Sequence, residues 1–373
     1  MSDDYIFETE GLTYKYSSRQ EKPSLDNVNV KIKKGVRTAI LGANGAGKST
    51  LFYHFNGIFK PSSGTVKYDG TPLDYNRDAL TELRKHISVV VQNPDEQIFS
   101  ATVEEDIAFG PMNCGMERED VEKAIQDSLF KVNMEEYRYR PTIQLSYGQR
   151  KRIAFAGALS IRPDVLILDE PTAGLDPQMS QDVIELVDQM VEAGTTVIIS
   201  THDVDLAYAW AEEIHVLRHG KLVFSGVPED FFADLEQVFL TGLTVPHTYS
   251  VNFMTQSIKG EKLDPYPRTN SQILCKMRHG DSATGHIKLV PVGEGADMVE
   301  EEGAVGVYGS DSRRLFASKD RVADYHFNAI ECCLMEAING RPSTLYCDER
   351  MVPFVEGRIA SLDRFGSHVE VVR

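Results

Sequence analysis

The chain has 373 residues, 42% of them hydrophobic, and a formal net charge of −17. That length leaves room for two domains with packed cores, and the acidic balance excludes general nucleic-acid binding, which needs clustered basic surface. No run nears the eighteen apolar residues of a membrane span, the acidic opening Met1-Ser2-Asp3-Asp4 is unlike a secretory signal, and five cysteines without C-x-x-C spacing predict reduced thiols in a cytosolic protein.

In chain order, residues 5–41 read as β-rich and end in the apolar run Thr38-Ala39-Ile40-Leu41. The loop Gly42-Ala43-Asn44-Gly45-Ala46-Gly47-Lys48-Ser49 follows and opens a helix over 48–58. Glycines there let backbone N–H groups of Gly42, Asn44, Gly45 and Gly47 turn toward phosphates, with the helix N-terminus behind them favouring negative charge. Lys48 is placed to bridge the β- and γ-phosphates, and Ser49, followed by Thr50, to put a hydroxyl on Mg²⁺. A turn-rich sheet segment follows near Pro61-Ser62-Ser63-Gly64, then the strand-like Ser88-Val89-Val90-Val91 leading to Gln92.

A helical insert spans about 102–162, with Thr102 and Glu105 as a capping box at its entry. Within it, Leu145-Ser146-Tyr147-Gly148-Gln149 precedes a helix, so the Ser146 hydroxyl and the Gly148 N–H can meet a phosphate. Val165-Leu166-Ile167-Leu168-Asp169-Glu170 reads as a strand buried on both faces, and ligands gather at its carboxyl end in a parallel sheet. Asp169 is placed to hold Mg²⁺ through water and Glu170 to polarise an attacking water. Asp176-Pro177 starts a helix whose Val183, Leu186, Val187 and Met190 share a face. A strand near 196–200 leads to His202, whose imidazole can contact a γ-phosphate. A helix at 203–212 and a strand near 214–224 complete an alternating α/β pattern.

These motifs, in this order over residues 5–240, resemble the ABC-type ATPases: phosphate loop, Gln92, the signature Leu145 to Gln149, Asp169 and Glu170, the D-loop Ala173-Gly174-Leu175-Asp176 and the switch residue His202. The resemblance implies an α/β fold with a mostly parallel sheet, an antiparallel β subdomain and a helical subdomain. It implies ATP and Mg²⁺ as cofactors, Glu170, His202 and Gln92 as catalytic, and Ser49, Gln92 and Asp169 as metal-binding. It also implies a head-to-tail dimer, homodimer or heterodimer with a related ATPase, in which Ser146 and Gly148 meet the partner subunit's ATP, and it counts Asp176 among the nucleotide-binding residues. Tyr16 fits the family's adenine-stacking aromatic, with Tyr14 the competing choice on the same face of the strand. The chain departs from the family at Tyr147, where glycine is usual.

The segment Gln92-Asn93-Pro94-Asp95-Glu96-Gln97-Ile98-Phe99-Ser100-Ala101-Thr102-Val103-Glu104-Glu105-Asp106-Ile107-Ala108-Phe109-Gly110-Pro111 is similar to ATPases of energy-coupling-factor importers, particularly the cobalt and nickel branch. That likeness implies a transmembrane coupling protein and a substrate-capture membrane component as partners, no nucleic acid, and a peripheral position on the cytoplasmic face of the cell membrane. Phe99 and Ile98 would line the docking groove or be buried in their own domain. The alternatives are an importer for a vitamin and a soluble ABC ATPase not tied to transport.

The expected domains are 1–242, the ATPase, and 243–373, a small C-terminal α/β accessory domain with a linker near Thr244-Val245-Pro246 and a break at Asp264-Pro265-Tyr266-Pro267. In the tail, Ala304 to Gly309 reads as a strand, Val322 to Asn339 and Arg350 to Asp363 as helices, and Val369 to Val372 as a terminal strand. It carries His247, His279, His286, His326 and His368 and four of the five cysteines, Cys275, Cys332, Cys333 and Cys347, with Cys114 upstream. No pair has the spacing of a closed metal site, so docking or dimer stabilisation is expected ahead of metal sensing.

Overall fold

The computed structural model describes residues 4–17, 21–278 and 284–373, so the expectations on Met1 to Asp3 and on His279 lie outside the described residues. It divides into two compact units, Met1–Leu175 with Ala193–Val245, and Asp176–Glu192 with Pro246–Arg373.

The first unit is built on a six-stranded sheet. Its order is Lys221–Gly226, Glu213–Arg218, Thr38–Leu41, Thr196–Thr201, Val165–Asp169 and Ile87–Val90. All neighbours are parallel except the terminal hairpin. The central strands are buried along their whole length, as a parallel sheet covered on both faces requires. The strand expected at 214–224 is two antiparallel strands. His219 and Gly220 both take positive φ, which gives the chain a tight reversal between them.

A separate antiparallel sheet joins Tyr5–Tyr14 to Leu25–Val28, Lys31–Lys33 and Ser63–Tyr68. Its inward residues Phe7, Leu12 and Val66 share one core with Leu51, Phe55, Val165 and Ile167. The helical insert comprises Val103–Asn113, Arg118–Lys131 and Tyr147–Leu159, and the Thr102–Glu105 capping box is present.

The second unit holds a four-stranded parallel sheet in the order Ala304–Tyr308, Ser343–Asp348, His286–Val292, Glu370–Val372. Successive residues of Ser343–Asp348 enter cores on opposite faces: Leu345 and Cys347 join Leu334 and Met351, while Tyr346 joins Phe316 and Val307. The helix expected from Val322 begins only at Ala329. Tyr325 instead runs beside the first strand, its N–H donating to the Val305 carbonyl at 3.0 Å and its carbonyl accepting from the Val307 N–H at 3.0 Å.

Helix Pro177–Glu192 clusters with this tail and not with the segment that precedes it. Glu185 accepts from the Gly309 N–H at 2.6 Å and from Arg313 at 2.6 Å, and the Tyr308 hydroxyl donates to Asp188 at 3.4 Å. Burial outweighs Arg313 and pushes the Glu185 carboxyl up to about 7. Asp348, fully buried at the end of its strand, accepts from the Ser312 N–H and hydroxyl, both at 2.9 Å. A Cβ on Gly309 would lie 2.1 Å from the Asp348 carboxyl carbon, so only glycine fits between them.

Candidate functional site

The phosphate loop leaves the buried strand Thr38–Leu41 and enters helix Lys48–Phe55. Its glycines are required for different reasons. A Cβ on Gly42 would lie 2.5 Å from the Leu217 carbonyl and one on Gly47 2.9 Å from the Ser24 carbonyl, whereas a Cβ on Gly45 would meet nothing within 4 Å. Gly45 faces open space and is selected by its φ of 79°. Among the described residues no side chain caps the helix start, so its first N–H groups remain available to an anion.

Lys48, Glu170 and His202 converge. The Lys48 ammonium donates to the Gly42 carbonyl at 2.7 Å and lies 3.2 Å from Glu170 Oε1. That oxygen is buried and, among the described residues, lacks a partner in hydrogen-bond geometry, so the ammonium contact is an ion pair only. The other Glu170 oxygen is 2.9 Å from His202 Nδ1. Glu170 follows directly on strand Val165–Asp169 and has φ of 48°, a conformation that costs energy in a non-glycine residue and ends the extended run.

Ser200 joins this site without belonging to a motif of its own. Fully buried, it donates a short hydrogen bond to Asp169 and its hydroxyl accepts from the Glu170 N–H at 3.2 Å. Its only signal in the sequence is a hydroxyl two residues before His202.

Helix Lys48–Phe55 packs against strand Val165–Asp169, which brings Ser49 and Asp169 to the same end of the sheet. Among the described residues no three His, Cys, Asp or Glu side chains group to hold a metal ion. Ser49, Gln92 and Asp169 supply one acid and two neutral oxygens, which suits a hard cation that keeps most of its water.

The Tyr16 hydroxyl shares a hydrogen bond of 2.9 Å with Thr50, one residue beyond the phosphate loop serine. Tyr14 stacks on Phe59 at 4.8 Å and meets His54 edge-on, whereas Tyr16 is mostly exposed. The strand ends at Tyr14, so the two rings take different environments despite their shared alternation.

The signature is itself a capping box: Ser146 accepts from the Gln149 N–H and the Gln149 side chain accepts from the Ser146 N–H. Among the described residues, those bonds of Ser146 are local, one turn apart, and do not reach the phosphate loop. Asp176 likewise accepts from the Met179 N–H at 2.8 Å at the start of its helix. Lys151, not singled out by sequence, is fully buried and donates to the carbonyls of Val91 at 3.1 Å and Gln92 at 2.8 Å. Burial holds its ammonium down at about 8 even though Asp169 and Glu170 pull the other way.

The family model described as ABC transporter matches residues 25–173. A protein of Methanospirillum hungatei named energy-coupling factor transporter ATP-binding protein EcfA2 is 35% identical over 385 residues, covering 99% of this chain and 96% of the relative. The chain belongs to the energy-coupling factor transporter ATP-binding proteins. Another protein of that name, EcfA of Methanocaldococcus jannaschii, is 46% identical over 65% of this chain and 86% of its own length.

The solved structure of CbiO1 from Clostridium perfringens, part of the ABC transporter complex CbiONQ, is 41% identical with a TM-score of 0.57, covering 69% of this chain and 98% of that one. A dimeric ATP-binding cassette solved with ADP and Pi is 28% identical with a TM-score of 0.56, covering 60% of this chain and 99% of that one. As a member of this family the chain is an ABC-type ATPase that uses ATP with Mg²⁺. No helix among the described residues is long and apolar enough to cross a membrane.

Proposed function

We propose that the chain is the ATP-hydrolysing subunit of an energy-coupling-factor importer for cobalt or nickel ions, working by head-to-tail dimer closure at the cytoplasmic face of the membrane. The observation that carries the hydrolytic part is the convergence of Lys48, Glu170 and His202 beside an uncapped helix N-terminus. Phosphates entering that loop take over the Lys48 ammonium from Glu170, which frees the carboxylate to polarise water while His202 stays within reach of the γ-phosphate. Ser49, Gln92 and Asp169 would hold Mg²⁺, which neutralises charge on the phosphates when bound. Ser146, Gly148 and Asp176, set apart on local caps, suit a role toward the nucleotide of a second subunit.

The likeness to CbiO1, part of the ABC transporter complex CbiONQ, favours a membrane-transport assembly over a free-standing ATPase, and the similarity of residues 92–111 to the cobalt and nickel branch favours a metal-ion cargo. Cells expressing the chain with its membrane partners should accumulate radiolabelled Co²⁺ or Ni²⁺, and should lose uptake when Lys48 is replaced by alanine. Uptake of a vitamin in place of either metal would support the alternative cargo and overturn this one.

The partner's docking face is proposed at Phe99, which is 65% exposed and meets the exposed Phe109 edge-on at 4.6 Å. Met112 lies on the same helix, in a hollow with Phe109, Ala108 and Val121. Exposed apolar residues clustered this way suit a coupling helix better than water. Phe99→Asp should leave the ATPase rate of the isolated chain within about twofold and reduce copurification with the membrane partner at least tenfold, because a charge facing an apolar helix is costly. Normal complex yield with this variant would remove Phe99 from the docking face.

A further inference from the structure

Tyr147, inside the signature, has specific contacts. Its hydroxyl donates to the Gln92 carbonyl at 3.4 Å, and its ring lies against the D-loop, where a Cβ on Gly174 would be 3.0 Å from Cε1. Lys151 is one helical turn further on the same face, and its ammonium donates to that same carbonyl at 2.8 Å and to the Val91 carbonyl at 3.1 Å. The other side of the same stretch is held as well. The Val91 N–H donates to Gln97 Oε1 at 3.1 Å, and the Gln97 amide donates to the Ala154 carbonyl at 3.1 Å, on the signature helix again.

A buried ammonium is an expensive way to fill space, since apolar side chains of similar volume pack there at lower cost. Here it spends its hydrogen bonds on two carbonyls at the point where strand Ile87–Val90 has just ended and Gln92 begins an exposed loop. The Gln92 side chain is therefore aimed by a backbone that the signature helix holds from both faces.

We propose that Tyr147 and Lys151 are positioning residues for ATP hydrolysis: together they clamp the Gln92 carbonyl to the signature helix, and the Tyr147 ring adds the D-loop at Gly174 to the same rigid body. Gln92, the signature and the D-loop then move as one piece when the helical insert shifts. A glycine at 147 would leave the D-loop without this brace and the Gln92 carbonyl with one donor fewer. The proposal rests on the ATPase chemistry and is independent of the cargo.

The test uses the full-length chain with ATP and Mg²⁺, and reads both kinetics and amide hydrogen exchange. Lys151→Met, which keeps volume and removes the donor, should lower kcat about tenfold or more, as a misplaced group does. The KM for ATP should stay within about twofold, since the phosphate loop is untouched. Exchange at the amides of residues 91–97 should quicken in the nucleotide-free protein. Lys151→Gln, a neutral side chain that still donates, should recover most of the rate and the protection. Tyr147→Gly should quicken exchange at residues 91–97 and at 173–175 together, whereas Tyr147→Phe should affect only the first segment.

A Lys151→Met protein with unchanged kcat and exchange would overturn the clamp. Equal losses in the methionine and glutamine variants would do so too, because they would mark a packing defect. Should Lys151→Met fail to fold, Tyr147→Phe decides alone: unchanged exchange at residues 91–97 overturns the proposal.

Discussion

Glu170→Gln is expected to lower steady-state ATP hydrolysis by about 10²- to 10⁴-fold, the range that general base catalysis supplies, while ATP binding is retained. The amide preserves the shape of the side chain, and Lys48 keeps its hydrogen bond to the Gly42 carbonyl, so the loop geometry survives, but the amide cannot draw a proton from water. ATP should then hold the protein in its closed dimer, visible as a doubled mass in solution with ATP and Mg²⁺. Lys48→Ala should behave differently. It removes the ammonium that lies 2.7 Å from the Gly42 carbonyl and 3.2 Å from Glu170. The phosphates then lack their counter-charge, so nucleotide binding falls and no ATP-dependent dimer forms. Normal hydrolysis by Glu170→Gln would exclude Glu170 as the base, and tight ATP binding by Lys48→Ala would exclude the charge role of the lysine.

Arg313→Ala should destabilise the second unit by about 3–5 kcal/mol at pH 8, the cost of leaving one member of a buried ion pair uncompensated. Its partner Glu185 is almost fully buried, with the Gly309 N–H, Asp182, Asp348 and the Tyr308 hydroxyl side as its polar surroundings. The folded-state pKa of Glu185 is raised from 4.5 to about 7. The folded protein therefore binds this proton more tightly than the unfolded chain, and its stability falls as pH rises from 4.5 through 7, then levels off. In the wild type that loss amounts to at most about 3 kcal/mol. Removing Arg313 raises the carboxyl further, so the penalty of Arg313→Ala should shrink at pH 5.5, where Glu185 takes up a proton. Glu185→Gln should flatten the pH dependence between 5 and 8. Hydrogen exchange of the strand Ala304–Tyr308 against pH measures both variants, and a pH-independent penalty for Arg313→Ala would show that the pair does not carry the effect.

Features legible from the amino-acid order alone lie in short spans. The phosphate loop, the acid pair after an apolar strand and the Thr102–Glu105 box each depend on hydrogen bonds and backbone angles set within a few residues, so their spacing is their geometry. The alternation of strands and helices in residues 38–226 was legible for the same reason. Contacts between residues far apart in the chain became visible only in the fold. Lys151 reaches Gln92 across 59 positions and Gly309 reaches Glu185 across 124. In a sequence, Lys151 is one more charge in a basic run and Glu185 one more acid on an amphipathic helix. Neither shows its burial, because desolvation depends on which surfaces the fold closes over a side chain and not on its neighbours in the chain. The segment 322–328 makes the same point for the backbone: its composition suits a helix, and the edge of strand Ala304–Tyr308 offered its N–H and carbonyl groups better-paired partners.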